Sequence, residues 1–155
     1  MNGVPLRFLL ADDHAIVRAG VRQILSTKFH ADFTEAENAQ DALAAARDHR
    51  FDLILLDVTM GGRSGLDILG ELKTAQAKTP ILVLSMHAED QFALRALRSG
   101  ASGYITKSSM PNELVKAVEK VLSGGRYVSE SLAEVLAAVF QSGDPTRAHS
   151  HETLS

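Results

Sequence analysis

The chain of 155 residues contains no cysteine. That removes any disulfide framework and any thiolate chemistry, and it suits a reducing compartment. No apolar run approaches the ~20 residues that a helix needs to span a bilayer. The N-terminus has no basic region leading into an apolar run, so no signal peptide is expected. Positive charge is not in excess either: the net charge is −3, which argues against a broad nucleic-acid-binding face on these residues. Internal repeats and low-complexity tracts are also lacking. The expectation is a soluble, cytoplasmic protein with no membrane partner, consisting of one ordinary domain with a remainder and long enough to bury a core.

What is present alternates between two periods. Leu6 to Leu10, Phe51 to Leu56 and Ile81 to Leu84 are nearly continuous apolar runs, the pattern of strands buried on both faces. Ala31 to Ala36 is a weaker strand, expected at an edge. Between the strands lie helical patterns. Ile16, Val17, Gly20, Val21, Ile24 and Leu25 recur at helical spacing. Asn38 and Ser64 are placed to cap the helices that follow them, 39–49 and 65–73, each with an aspartate three residues on. Two further helices are predicted over 89–99 and 111–122, the latter opening on Pro111, where a missing N–H costs nothing. Strand and helix repeated five times predict an α/β fold, a doubly wound parallel sheet with helices on both faces.

The pair Gly124-Gly125 closes the last of these helices. Beyond it, Ser131 and Glu134 form a capping box ahead of Leu132, Val135, Leu136, Val139 and Phe140, so an extra helix is predicted within 125–141. Residues 142–155 change to Ser, Gly, Asp, Pro, Thr and His without apolar anchors, the composition of a linker. His149 and His151 fall in this tail, where two candidate ligands without a third make a poor metal site. His14, His30 and His49 read as ordinary helix or loop residues.

Four strand segments end in polar residues that folding does not require. They run into Asp12-Asp13, Asp57, Ser85 and Lys107. The carboxyl ends of parallel strands share one edge, and open α/β sheets bind ligands outside that edge. Taken singly, Asp13 is equally an N-cap, Asp57 and Ser85 equally caps, and Lys107 a solvated charge. Together at four strand ends they predict one crevice. Three acidic side chains in one place repel and call for a cation, and Mg²⁺ suits a partly hydrated oxygen site. A carboxylate facing a metal, an ammonium and a hydroxyl is well arranged to attack phosphorus, because phosphoryl transfer needs charge neutralisation more than covalent help.

The set Asp12-Asp13, Asp57 in LILLDVTM, Ser85 in ILVLSMH and Lys107 in GYITK resembles the receiver domain of bacterial two-component response regulators, over about residues 5–124. The segment from Gly100 to Ala133 resembles the NarL/FixJ type, and the closing residues 151–155 resemble the start of its LuxR-type helix-turn-helix domain. The resemblance implies a flavodoxin-like (βα)5 receiver at 1–124 with five strands in the order 2-1-3-4-5. It further implies that Asp57 accepts a phosphoryl group from a sensor histidine kinase. Asp13, Asp57 and the main-chain carbonyl of Thr59 would hold Mg²⁺, with Asp12 acting through water or at second hand. Ser85 would bond the phosphoryl oxygen, Lys107 would pair with Asp57, and Tyr104 would be the aromatic switch. A phosphorylation-dependent homodimer, with DNA reached only through a domain outside this chain, completes what the family implies.

One position departs from the family pattern: Met60 is followed by Gly61-Gly62 where a proline is usual, which lowers the preorganisation of that loop by ~0.4–1 kcal/mol. Thr59 and His87 lie where the family varies its phosphate lifetime. Two other functions fit the same residues. A stand-alone phosphorelay carrier differs only in its lack of an output domain. A metal-dependent aspartyl phosphatase usually carries a second aspartate two residues after the nucleophile, and here that position is Thr59, so turnover is not expected.

Overall fold

In the computed structural model, residues 4–58, 65–85, 90–128, 133–134 and 137–138 are described. Strands β1 (Leu6–Ala11), β2 (Ala31–Ala36), β3 (Leu53–Asp57), β4 (Ile81–Ser85) and β5 (Gly103–Thr106) alternate with helices α1 (Ala15–Ser26), α2 (Ala39–Asp48), α3 (Gly65–Ala75), α4 (Asp90–Arg98) and α5 (Met110–Leu122). The strands pair in parallel in the order β2-β1-β3-β4-β5, with the weak Ala31–Ala36 strand at the edge as its composition suggested. Among the described residues no helix is long and apolar enough to cross a membrane.

The pleat divides the core. Leu9, Ile54, Leu56, Ile81 and Val83 face α2, α3 and α4, while Phe8, Leu10, Leu53, Leu55, Leu82 and Leu84 face α1 and α5. A strand covered on both sides has no solvent face to display, which is why β3 and β4 are apolar almost throughout and buried at every position.

Local signals are visible at two of the boundaries. The Asn38 side chain accepts the Asp41 amide at 2.8 Å and caps α2. At the other end of the chain α5 closes on Gly124, whose φ of 94° allows the Gly125 amide to return to the Lys120 carbonyl at 3.0 Å.

Two expectations need correcting. The sheet has six strands, not five: β6 (Tyr127–Val128) pairs in parallel with β5. It occupies the start of the 125–141 segment read as helix. Within the rest of that segment Ala133, Glu134, Ala137 and Ala138 are helical and exposed, and the predicted stripe at Leu132, Val135, Leu136, Val139 and Phe140 lies outside the described residues. On α1 the inward positions are Arg18, Val21 and Leu25, whereas Ile16 is 83% exposed. The inward face is thus turned from the apolar spacing: Val17 and Ile24 pack against it in part, and it takes in the guanidinium of Arg18 but not Ile16. The N-cap position of α1 is His14, with no side-chain cap, so the alternative of Asp13 as a helix cap falls away and its carboxylate is left to the crevice.

Candidate functional site

Parallel register brings the four strand ends together. Ala11 lies opposite Leu56, so Asp12 emerges beside Asp57. Asp57 pairs with Leu84, and Ser85 pairs with Thr106 immediately before Lys107. Asp57 is fully buried, and Asp12 and Ser85 nearly so. Asp13 stands at the rim with 38% of its side chain exposed.

The ammonium of Lys107 bridges the two buried carboxylates, 3.0 Å from Asp12 Oδ2 and 3.2 Å from Asp57 Oδ2. It rises from a 3₁₀ turn over Lys107–Ser109, in which the Thr106 hydroxyl meets those of Ser108 and Ser109 at 3.2 and 2.9 Å. The His14 amide donates to Asp12 Oδ1 at 2.8 Å, and its Nδ1 lies 3.0 Å from Asp13 Oδ1. One candidate ligand atom from each of Asp12, Asp13, His14 and Asp57 falls within 4.8 Å of the others.

Two carboxylates buried beside a single ammonium leave the pocket negative, and Asp13 adds to that charge from the wet side. Such a pocket attracts a second cation. Its donors are mostly hard oxygens with one exposed edge, which fits a partly hydrated Mg²⁺ better than a softer metal. The most enclosed carboxylate, Asp57, faces this charge from the middle of the strand row.

Residues 8–119 match the response regulator receiver domain. The chain belongs to this family. The receiver is 35% identical to the response regulator UvrY of Escherichia coli (strain K12) over 133 residues, 85% of this chain and 61% of that protein. It is 36% identical to the nitrate/nitrite response regulator protein NarL of the same organism over 148 residues, covering 94% of this chain and 68% of NarL. The chain thus spans about three fifths to two thirds of the length of these relatives. Among solved structures it superimposes on a two-component response regulator of the LuxR family from Aurantimonas sp. SI85-9A1 with a TM-score of 0.80 and 36% identity, covering 87% of this chain and 97% of that one. The relationship is to receivers of the NarL/FixJ type.

Of the receiver residues expected from sequence, Asp12, Asp13, Asp57, Ser85 and Lys107 are brought to one edge. Thr59 and the Met60-Gly61-Gly62 segment, like His87, lie outside the described residues. Tyr104 is not on an exposed strand face: it is 3% exposed and belongs to the same buried cluster as Ala93, Ala96 and Leu97 of α4.

Sequence reasoning missed two side chains around the receiver's acid pocket. His14 had been set aside as an ordinary helix residue, although its position directly after two aspartates was a signal. Arg18 falls outside the apolar pattern read for α1 and carries no expectation from it. A charged residue three and seven positions before the buried Val21 and Leu25 was the clue that it points inward. Its Nε donates to Glu35 Oε1 at 2.6 Å and its Nη1 to the Asp12 carbonyl at 2.7 Å. The hydrogen bond from Arg18 holds the Glu35 carboxyl below its ordinary value, aided by Arg22 and opposed by burial.

Proposed function

We propose that the chain is a phosphorylation-operated switch in which Asp57 accepts a phosphoryl group from a sensor histidine kinase. The observation that carries this reading is the fully buried Asp57 at the end of β3, beside Asp12 and within reach of Lys107. A carboxylate oxygen of Asp57 attacks phosphorus while the bond to the donor imidazole nitrogen breaks and its electron pair leaves with that nitrogen. Lys107, drawn from Asp57 toward the incoming group, balances charge on the transferred oxygens, and the Ser85 hydroxyl donates to one of them.

Asp13 and Asp57, with the main-chain carbonyl of Thr59, would hold Mg²⁺, and Asp12 would act through water. Bound there, the ion neutralises the phosphoryl oxygens as charge develops. The chemistry is the chain's own transient phosphorylation and dephosphorylation and not turnover of a substrate. The reading places the protein in the cytoplasm, with residues 1–124 as receiver, 125–141 carrying an extra helix and 142–155 as a linker. Transcription would be controlled through a DNA-binding domain outside this chain. The similarity to NarL along most of the chain supports that output, and a homodimer formed on phosphorylation would deliver it.

The test is modification by acetyl phosphate with Mg²⁺, followed by intact mass. The wild type gains one phosphoryl group and Asp57→Asn gains none. An equal gain in both proteins would place the acceptor elsewhere.

A further inference from the structure

Arg18 is a guanidinium at a core position, 9% exposed, and its two hydrogen bonds run in different directions. One reaches Glu35 on β2, and the other reaches the main-chain carbonyl of Asp12. The Asp12 amide is held as well, donating to the Ala36 carbonyl at 3.0 Å. The main chain of Asp12 is therefore bracketed on both sides from the end of β2: directly by Ala36, and through Arg18 by Glu35. The carbonyl that Arg18 grips belongs to the peptide joining Asp12 to Asp13. Turning that peptide plane would swing the Asp13 backbone, and with it the one acidic side chain of the pocket that stands half in water without serving as the helix cap.

We infer that Arg18 is a positioning residue for the acid pocket, acting through the Asp12 carbonyl and held in place by Glu35. The inference rests on the reading that the pocket holds a divalent cation. Arg18 does two things there. Its fork fixes the Asp12–Asp13 peptide, a task that a lysine cannot perform because a single ammonium does not span two acceptors at fixed angles. Its charge, which would otherwise oppose a bound cation, is balanced by the ionised Glu35. Arg22 separates this role from mere scaffolding. It donates to the other oxygen of Glu35 at 2.7 Å and lies 5.5 Å over the Phe33 ring, but its described contacts do not include the Asp12 loop.

The test is calorimetric titration of the 155-residue chain with Mg²⁺ alone, with thermal unfolding in chelator to verify folding. Wild type should bind saturably and Asp13→Ala should not. Arg18→Lys, which keeps charge and stem, should weaken Mg²⁺ by about 10-fold or more, the range typical of residues that orient metal ligands. Glu35→Gln should weaken it by a smaller factor. Arg22→Gln should stay within about 2-fold, because an exposed ion pair carries little energy. Unchanged affinity in folded Arg18→Lys overturns the inference while leaving the metal reading intact. An equal loss in Arg22→Gln also overturns it, since the effect would then follow the ion pair and not the grip on Asp12. Should Arg18→Lys fail to fold, unchanged affinity in Glu35→Gln has the same force. A wild type that binds no Mg²⁺ removes the metal reading and this inference with it.

Discussion

Lys107 is the residue on which the resting site depends most. It sets one ammonium between two carboxylates, and all three side chains are almost excluded from water. Removing a partner from a buried ion cluster costs more than the cluster itself contributes, because the charge left behind is uncompensated. Lys107→Met should therefore destabilise the metal-free chain by about 3–5 kcal/mol. Added Mg²⁺ should restore more stability to the variant than to the wild type, since the ion replaces the lost cation and binds only the folded pocket. Thermal unfolding of both proteins with and without Mg²⁺ measures this, and an equal Mg²⁺ response in the two would mean that Lys107 is not what the ion relieves. The strand-end residues were legible because polar groups closing apolar runs have no packing reason to be there. Arg18 was harder to read: its partners Asp12 and Glu35 lie six and seventeen positions away, and no local pattern links a helix residue to the next strand.

At the scale of elements, the fivefold alternation of strand and helix was plain from periodicity, and the sixth strand was not. Two residues make no periodic signal. What admits β6 is a missing side chain: a Cβ on Gly103 would stand 2.9 Å from both the Tyr127 carbonyl oxygen and Leu82 Cδ1. The strand is then fastened to α5 by the Tyr127 hydroxyl, which donates to Glu113 Oε1 at 2.7 Å. Burial, and after it the Glu113 carboxylate, push the Tyr127 phenol up to about 12 from 10.0. A phenol raised on folding stabilises the native state fully below the unfolded value and loses that contribution as pH climbs from 10.0 toward about 12. Tyrosinate absorbance should accordingly show a late-titrating tyrosine that disappears in Tyr127→Phe. Gly103→Ala should cost about 1–3 kcal/mol by overpacking and lower that late titration toward the ordinary range as β6 is pushed off. If Gly103→Ala titrates as wild type does, β6 does not depend on the bare glycine.

For the molecule as a whole, the sheet is the partition between two cores, one on each of its faces. Close-packed cores are bistable and not continuously deformable, so a change at the strand ends, on the proposed reading, would be accommodated by one discrete rearrangement and not by gradual strain. Ser85 and Tyr104 stand at the point where such a rearrangement would leave the pocket. Ser85 closes β4, and Tyr104 on the neighbouring strand is buried against α4, the helix that follows Ser85 in the chain. A phosphoryl oxygen on Asp57 would recruit the Ser85 hydroxyl only in the modified state, so that bond biases the equilibrium between two states and does not deepen both equally. A hydrogen bond to a charged acceptor contributes ~1.5–3 kcal/mol, enough to move a two-state ratio by about 10-fold or more. Ser85→Ala should therefore still be modified by acetyl phosphate, with its mass gain intact. Its modified form should dimerise about 10-fold less tightly than modified wild type, as read by sedimentation velocity. If modified Ser85→Ala dimerises as tightly as wild type, the state of Asp57 is carried to the dimer by side chains other than Ser85, and Tyr104 becomes a packing residue of the α4 side and nothing more.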